Sequence, residues 1–151
     1  MSFKGRRTNM AGVALIRSFE GLVLESYVCP AGRWTIGYGH TTTAIPGQRI
    51  TEEQAEQLLR RDLALVEARV AQLVQVALND NQFAALVCFA FNVGVLALAR
   101  SSLLKKLNAG DYAAVPDELQ KWVKVGTITL PGLIRRRAAE AALWNKKEKP
   151  S

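Results

Sequence analysis

The sequence predicts an α+β fold that is predominantly helical, with a small β-containing N-terminal lobe, a long connecting helix and a helical C-terminal lobe. Three observations carry this. Strand-like alternation and glycine-rich turns are confined to a stretch from Glu25 to Gln48, a capping sequence at Thr51 opens a long amphipathic stripe, and everything after it reads as further helices. A length of 151 residues fits a single domain, 1–151, with lobes at roughly 12–50 and 76–145 joined by a helix over 51–75. With 49% hydrophobic residues the chain can bury a core without disulfides or metals.

Residues 11–20 form the first expected helix, with Leu15, Ile16 and Phe19 at helical spacing and Asn9 as its N-cap. Gly21 suits the end of that helix, because glycine tolerates the left-handed conformation that follows many helices. Glu25 to Cys29 and Arg33 to Tyr38 then read as two strands around Cys29-Pro30-Ala31-Gly32, where proline second and glycine fourth suit a type I turn. In the second strand Trp34, Ile36 and Tyr38 share one face, and Thr35 and Gly37 the other. Thr51-Glu52-Glu53-Gln54 has the form of a capping box. Ala55, Leu58, Leu59, Leu63, Val66, Val70, Leu73 and Val74 continue the apolar stripe for about seven turns.

Phe83 to Ala99 is almost entirely apolar, interrupted at Asn92 and Gly94. It sits at the short limit for a membrane span and has a polar break, so a buried core helix is expected. Asn92 and Gly94 are expected to satisfy backbone and permit close packing. Further helices are expected at about Ser101 to Asn108, Tyr112 to Trp122 and Gly132 to Asn145, with a frayed basic tail after Trp144.

Lys and Arg number 20 against 13 Asp and Glu, giving a formal charge of +7 and predicting attraction to a polyanion. Nucleic acid is set aside, since the basic residues show neither aromatic interleaving nor a known binding motif. Two cysteines outside any C-x-x-C pair and one histidine exclude a disulfide framework and argue against zinc. The first ten residues are polar and basic (Lys4, Arg6, Arg7), and the apolar stretch after them is broken by Arg17 and Glu20, unlike a signal peptide or anchor. Accumulation in the cytoplasm of the producing cell is the expectation.

Phe19-Glu20-Gly21 and Thr35-Ile36-Gly37-Tyr38-Gly39-His40 carry a recognisable constellation. Glu20 is followed after eight residues by Cys29, and Cys29 after five by Thr35. This resembles the phage-type lysozymes of glycoside hydrolase family 24, whose signature is Glu, Asp or sometimes Cys, and Thr at those spacings. The resemblance extends through Gln82 to Gly94, Ser102 to Asn108 and Gly132 to Trp144. It implies a lysozyme-like fold and an endolysin that hydrolyses the β-1,4 bond between N-acetylmuramic acid and N-acetylglucosamine in peptidoglycan. It also implies no cofactor or metal, a monomer, and dependence on a holin-type protein for passage from the host cytoplasm to the periplasm and wall.

Elementary chemistry agrees with those assignments. Glycoside hydrolysis needs a proton donor for the leaving oxygen. A carboxyl group at a helix C-terminus faces the negative pole of the helix, which suits that role for Glu20. The Thr35 hydroxyl, both donor and acceptor, can hold the attacking water. Cys29 stands where the family usually has a carboxylate. It can serve as the water-side base, giving inversion, or its thiolate can attack the anomeric carbon, giving retention. A single displacement with inversion is the favoured reading, because Thr35 is available for water. His40 is expected to pair with Asp62 in a structural contact between lobe and long helix, so that His40→Ala lowers stability more than rate. Arg135, Arg136 and Arg137 point in different directions from one helix. Arg135 is taken as the cleft residue, with another of the three reaching a buried carboxylate. Tyr27 and Gly39 are taken to flank the sugar groove. The rivals are a lytic transglycosylase, marked by 1,6-anhydro ends, and a wall-binding protein without activity.

Overall fold

The computed structural model describes residues 5–147. Met1 to Lys4 and Glu148 to Ser151, with the remote part of the expected frayed tail, lie outside the described residues. Helix α1 (Met10–Glu20) starts where Asn9 accepts a hydrogen bond from the Gly12 amide, and ends at Gly21 with φ of 71°. Strands β1 (Val23–Val28) and β2 (Trp34–Gly37) form an antiparallel hairpin in which Tyr27 faces Thr35 and Val28 faces Trp34. Its turn is closed by the Gly32 amide donating to the Cys29 carbonyl at 2.8 Å. β2 stops before Tyr38, because Gly37 at φ 66° turns the chain and Ile36 and His40 exchange backbone hydrogen bonds around the resulting loop.

The long helix α2 (Glu52–Leu73) carries the expected capping box, with Thr51 and Gln54 bonding reciprocally. Its inward stripe of Ala55, Leu59, Leu63 and Val70 is fully buried. Helix α3 (Asp80–Val93) is the centre of the core, buried continuously from Phe83 to Ala90 and packed most extensively on the last helix. Each such large apolar side chain contributes about 1.5–3 kcal/mol on burial.

The single helix expected over Phe83 to Ala99 is in fact two. It breaks at Gly94, whose φ of 96° no helix accommodates, and resumes as α4 (Val95–Arg100). A Cβ at Gly94 would meet nothing, so the glycine serves a backbone conformation and not close packing. Asn92 is exposed, not a buried satisfier of backbone. Helix α5 (Ser102–Asn108) lies where expected. The helix expected over Tyr112 to Trp122 is shorter: a 3-10 turn at Tyr112–Ala114 leads into α6 (Val115–Leu119), after which Trp122 packs edge-on against Phe89 at 5.5 Å. A small hairpin follows, β3 (Lys124–Val125) and β4 (Ile128–Thr129), turning at Gly126. Strands of two residues offer no alternation to read. Helix α7 (Pro131–Asn145) closes the fold.

The segment before α1 is stitched to the helical body. The Thr8 amide and hydroxyl both donate to Glu67 Oε2 at 2.6 Å, and Arg6 pairs with Asp80 at 2.9 Å. Asn81 accepts from the Asn9 side chain at 2.9 Å and donates to the Lys146 carbonyl at 3.2 Å. Among the described residues no helix is long and apolar enough to cross a membrane.

Candidate active site

Glu20 is the last residue of α1, and its side chain is 23% exposed. It lines a groove of about 700 Å³ between the end of α1, Asn92 on α3 and the segment Leu130 to Arg136 that opens α7. Arg135 lines this groove as well. The guanidinium nearest the carboxyl, however, belongs to Arg136, whose Nη1 lies 3.6 Å from Glu20 Oε1. A positive charge, as well as the helix pole, therefore faces Glu20.

Arg136 is buried and held from several sides. Its Nη2 donates to the Cys88 carbonyl at 3.1 Å, its Nε donates to Glu140 Oε2 at 3.3 Å, and its guanidinium lies 5.6 Å from the Phe19 ring centroid. Glu140, one turn further along α7 and completely buried, also meets Arg137, with Nε 2.8 Å from Oε1. That contact is ionic and poorly angled for a hydrogen bond, and Arg137 Nη1 has no hydrogen-bond partner. Arg137 Nη2 donates to Asn92 Oδ1 at 2.5 Å. Burial raises the Glu140 carboxyl above its ordinary value against the pull of Arg137. Burial likewise lowers the Arg137 guanidinium, and pushes the neighbouring Cys88 thiol far up. The arginine that meets a buried carboxylate is thus not one of the three but two, Arg136 and Arg137. Arg136 was missed as the partner of Glu20. The signal was Glu140 itself, a lone acid four residues on in an alanine-rich stretch.

Cys29 and Thr35 come together on the β1–β2 hairpin. Cys29 is a half-buried free thiol, and Cys88 a fully buried one. Thr35 is buried, and its hydroxyl donates to the Arg33 carbonyl at 3.1 Å or to the Cys29 sulfur. The hydrogen bond from Thr35, with help from the backbone at Arg33, holds the Cys29 thiol below its ordinary value. Among the described residues Glu20 contacts Arg136 and makes no hydrogen bond to Cys29 or Thr35. Neither Cys29 nor Thr35 lines the groove at Glu20, and the chain connects the two through the hairpin. Only Gly21 and Leu22 separate α1 from β1, and Val23 pairs with Gly37, two residues along β2 from Thr35.

Tyr27 sits across from Thr35 and is 42% exposed, and Gly39 lies exposed in the turn after β2 at φ 80°. Neither lines the groove around Glu20. His40 is buried, with Nδ1 2.8 Å from Asp62 Oδ2 on α2. Its Nε2 lies 2.7 Å from the Thr43 hydroxyl and accepts from the Thr43 amide at 3.2 Å. One proton on Nδ1 satisfies all these contacts, so His40 is fully engaged in joining the hairpin region to the long helix.

Comparison with known proteins bears on this arrangement. A family model described as Phage lysozyme matches residues 17–140, a span holding Glu20, Cys29, Thr35 and all three arginines. The chain is similar to an endolysin of Acyrthosiphon pisum secondary endosymbiont phage 1, at 50% identity over 88% of this chain and 94% of the relative. Among solved structures it is similar to the muramidase domain of SpmX from Asticaccaulis excentricus, at 41% identity and a TM-score of 0.89, covering 94% of this chain and 99% of that one. It is also similar to a mutant of P22 lysozyme, at 34% identity and a TM-score of 0.85, covering 93% and 99% respectively.

Proposed function

The chain belongs to the phage lysozyme family and is a lysozyme-type glycoside hydrolase, and from that premise we propose how its residues divide the reaction on peptidoglycan. The substrate is the glycan strand, bound in the groove beside Glu20 and cut at the β-1,4 bond between N-acetylmuramic acid and N-acetylglucosamine. Glu20 donates its proton to the glycosidic oxygen as the C1–O bond breaks. Thr35 holds a water on the opposite face of the sugar, and the Cys29 thiolate takes the proton of that water as it attacks C1. The products are a new reducing end of inverted configuration and a free hydroxyl on the leaving sugar; solvent then returns the proton to Glu20 and removes one from Cys29.

The observation that carries this reading is the Thr35 hydroxyl on β2 beside the Cys29 thiol of lowered pKa at the turn of the hairpin that follows Glu20 in the chain. A thiol so placed supplies the base that the family usually draws from a carboxylate. Arg135 binds polar groups of the glycan in the groove, and Tyr27 and Gly39 border the sugars that extend along the hairpin. The His40–Asp62 contact keeps the hairpin seated on α2. The enzyme acts as a monomer without cofactor, and it reaches the wall from the host cytoplasm through a lesion made by a holin-type protein. Its positive charge favours adsorption to an anionic wall.

Lysis of permeabilised Gram-negative cells by wild type, Glu20→Gln, Cys29→Ser and Cys29→Asp tests the assignment, with the sugar ends and their anomeric configuration read by NMR. Glu20→Gln is expected to lose at least about 100-fold in rate. Cys29→Asp keeps activity, Cys29→Ser loses much of it, and fresh products are α-anomers. Full activity in Cys29→Ser removes the thiol from the mechanism. Products with β-configuration establish a covalent intermediate instead, and 1,6-anhydro ends a transglycosylase.

A further inference from the structure

The long helix α2 separates its charges sharply. Between residues 57 and 72 every acid is turned inward or spoken for. Asp62 meets His40, and the buried Glu67 accepts two hydrogen bonds from Thr8. Just before this stretch, Glu56 pairs with Arg17 at 2.8 Å. Between residues 57 and 72 the outward face holds no exposed acid, since Glu67 at its edge is buried against Thr8. That face carries Arg60, Arg61 and Arg69, none of which has an ion-pair partner among the described residues.

Helix geometry arranges these residues in two adjacent rows. Arg61, Leu65 and Arg69 stand four apart on one row, and Arg60, Ala64 and Ala68 on the next. The alanines leave a shallow trough of about 250 Å³ beside the arginines, lined by Arg7, Arg60, Arg61, Ala64 and Glu67. Arg7 reaches it because the next residue, Thr8, is pinned to Glu67 at 2.6 Å. Leu65, set between Arg61 and Arg69, is 73% exposed. An exposed apolar side chain set between two guanidinium groups that lack ion-pair partners among the described residues is the pattern of a helix that lies on a charged interface.

We propose that this face of α2, with Arg7, docks the protein on an anionic lipid bilayer. Guanidinium groups of Arg7, Arg60 and Arg61 bind the headgroup phosphates, and Leu65 enters the interface between them. No aromatic side chain lines the trough to stack on bases, which disfavours RNA as the occupant. The surface shares no residue with the groove at Glu20, so a docked enzyme keeps that groove open. The proposal stands apart from the assignment of catalytic residues.

The test is cosedimentation with vesicles of phosphatidylcholine alone or mixed with phosphatidylglycerol, at low and at physiological salt. Wild type, Arg60→Ala/Arg61→Ala and Leu65→Ser are compared, with hydrolysis of soluble glycan fragments and thermal melts as controls of fold. Wild type is expected to bind only the anionic vesicles. The double variant should weaken binding about 30-fold, equivalent to about 1 kcal/mol per arginine. Leu65→Ser should lose at least about threefold at a salt concentration where wild type still binds. Glycan hydrolysis should be unchanged in both. Absence of vesicle binding by wild type, or equal binding by either variant, overturns the proposal. Tighter binding to a single-stranded RNA, lost in the same double variant, overturns it in favour of a nucleic-acid surface.

Discussion

Thr35 has one hydroxyl proton and two acceptors for it, the Arg33 carbonyl and the Cys29 sulfur. When the proton points to sulfur it stabilises the thiolate, and when it points to the carbonyl a water can take its place. Thr35→Val removes the first option while keeping the shape of the residue. The Cys29 thiol is then expected to titrate at higher pH than in wild type, seen as a several-fold slower alkylation by iodoacetamide near neutral pH. Equal alkylation profiles in the two proteins would mean that the threonine does not govern the thiol. At this scale the nearness of Cys29 and Thr35 was legible, because a strand, a Pro-Gly turn and a second strand put both on one hairpin. Arg136 was not. Three adjacent arginines differ only by about 100° of helix phase each, and the alternation around them is too weak to say which one turns inward.

The short helices α5 and α6 are clamped by a carboxylate. Glu118 is almost completely buried, and it takes hydrogen bonds from Ser102 and Lys121, with Lys106 Nζ at 3.2 Å. The hydrogen bonds from Lys121 and Ser102 lead in lowering its pKa to about 2. A carboxyl lowered in the folded state stabilises fully above its unfolded value of about 4.5 and loses that contribution as pH falls toward 2. Glu118→Gln is therefore expected to melt lower than wild type at pH 7, with the gap narrowing steadily between pH 5 and pH 2. A gap independent of pH would place the effect in packing alone. Among elements, those with a cap and a stripe could be read directly: Asn9 for α1, Thr51 for α2. Gly94 was read as a packing residue and proved to be a break, since an apolar run looks the same whether one helix or two pass through it. The β3–β4 hairpin and the end of α6 at Leu119 depend on tertiary contacts, such as Trp122 on Phe89, that no local pattern announces.

Across the whole molecule, two polar clusters join parts far apart in sequence. Arg136, Arg137 and Glu140 tie α7 to Cys88 and Asn92 on α3 and to Glu20 on α1. Removing the carboxylate strands two buried guanidinium groups, so Glu140→Ala is expected to cost about 3–5 kcal/mol in denaturant unfolding. Activity should fall in the residual folded protein as Arg136 loses its anchor; a variant as stable as wild type would contradict this account. His40→Ala, by contrast, is expected to lower the melting temperature while leaving the rate of the folded enzyme nearly intact, and a stable but inactive variant would show that His40 serves the reaction. The general plan of small β region, long helix and helical body was legible because periodicity changes abruptly at Thr51, whereas the polar clusters appear only once the helices are packed. One last contact reaches further. Asn81 holds the side chain of Asn9 with one end of its amide and the carbonyl of Lys146 with the other, so the opening and closing helices meet over a single residue. A short linker between those neighbours would close the backbone into a ring, and fresh ends cut at the exposed Gly126 turn would give a circular permutant with the same architecture.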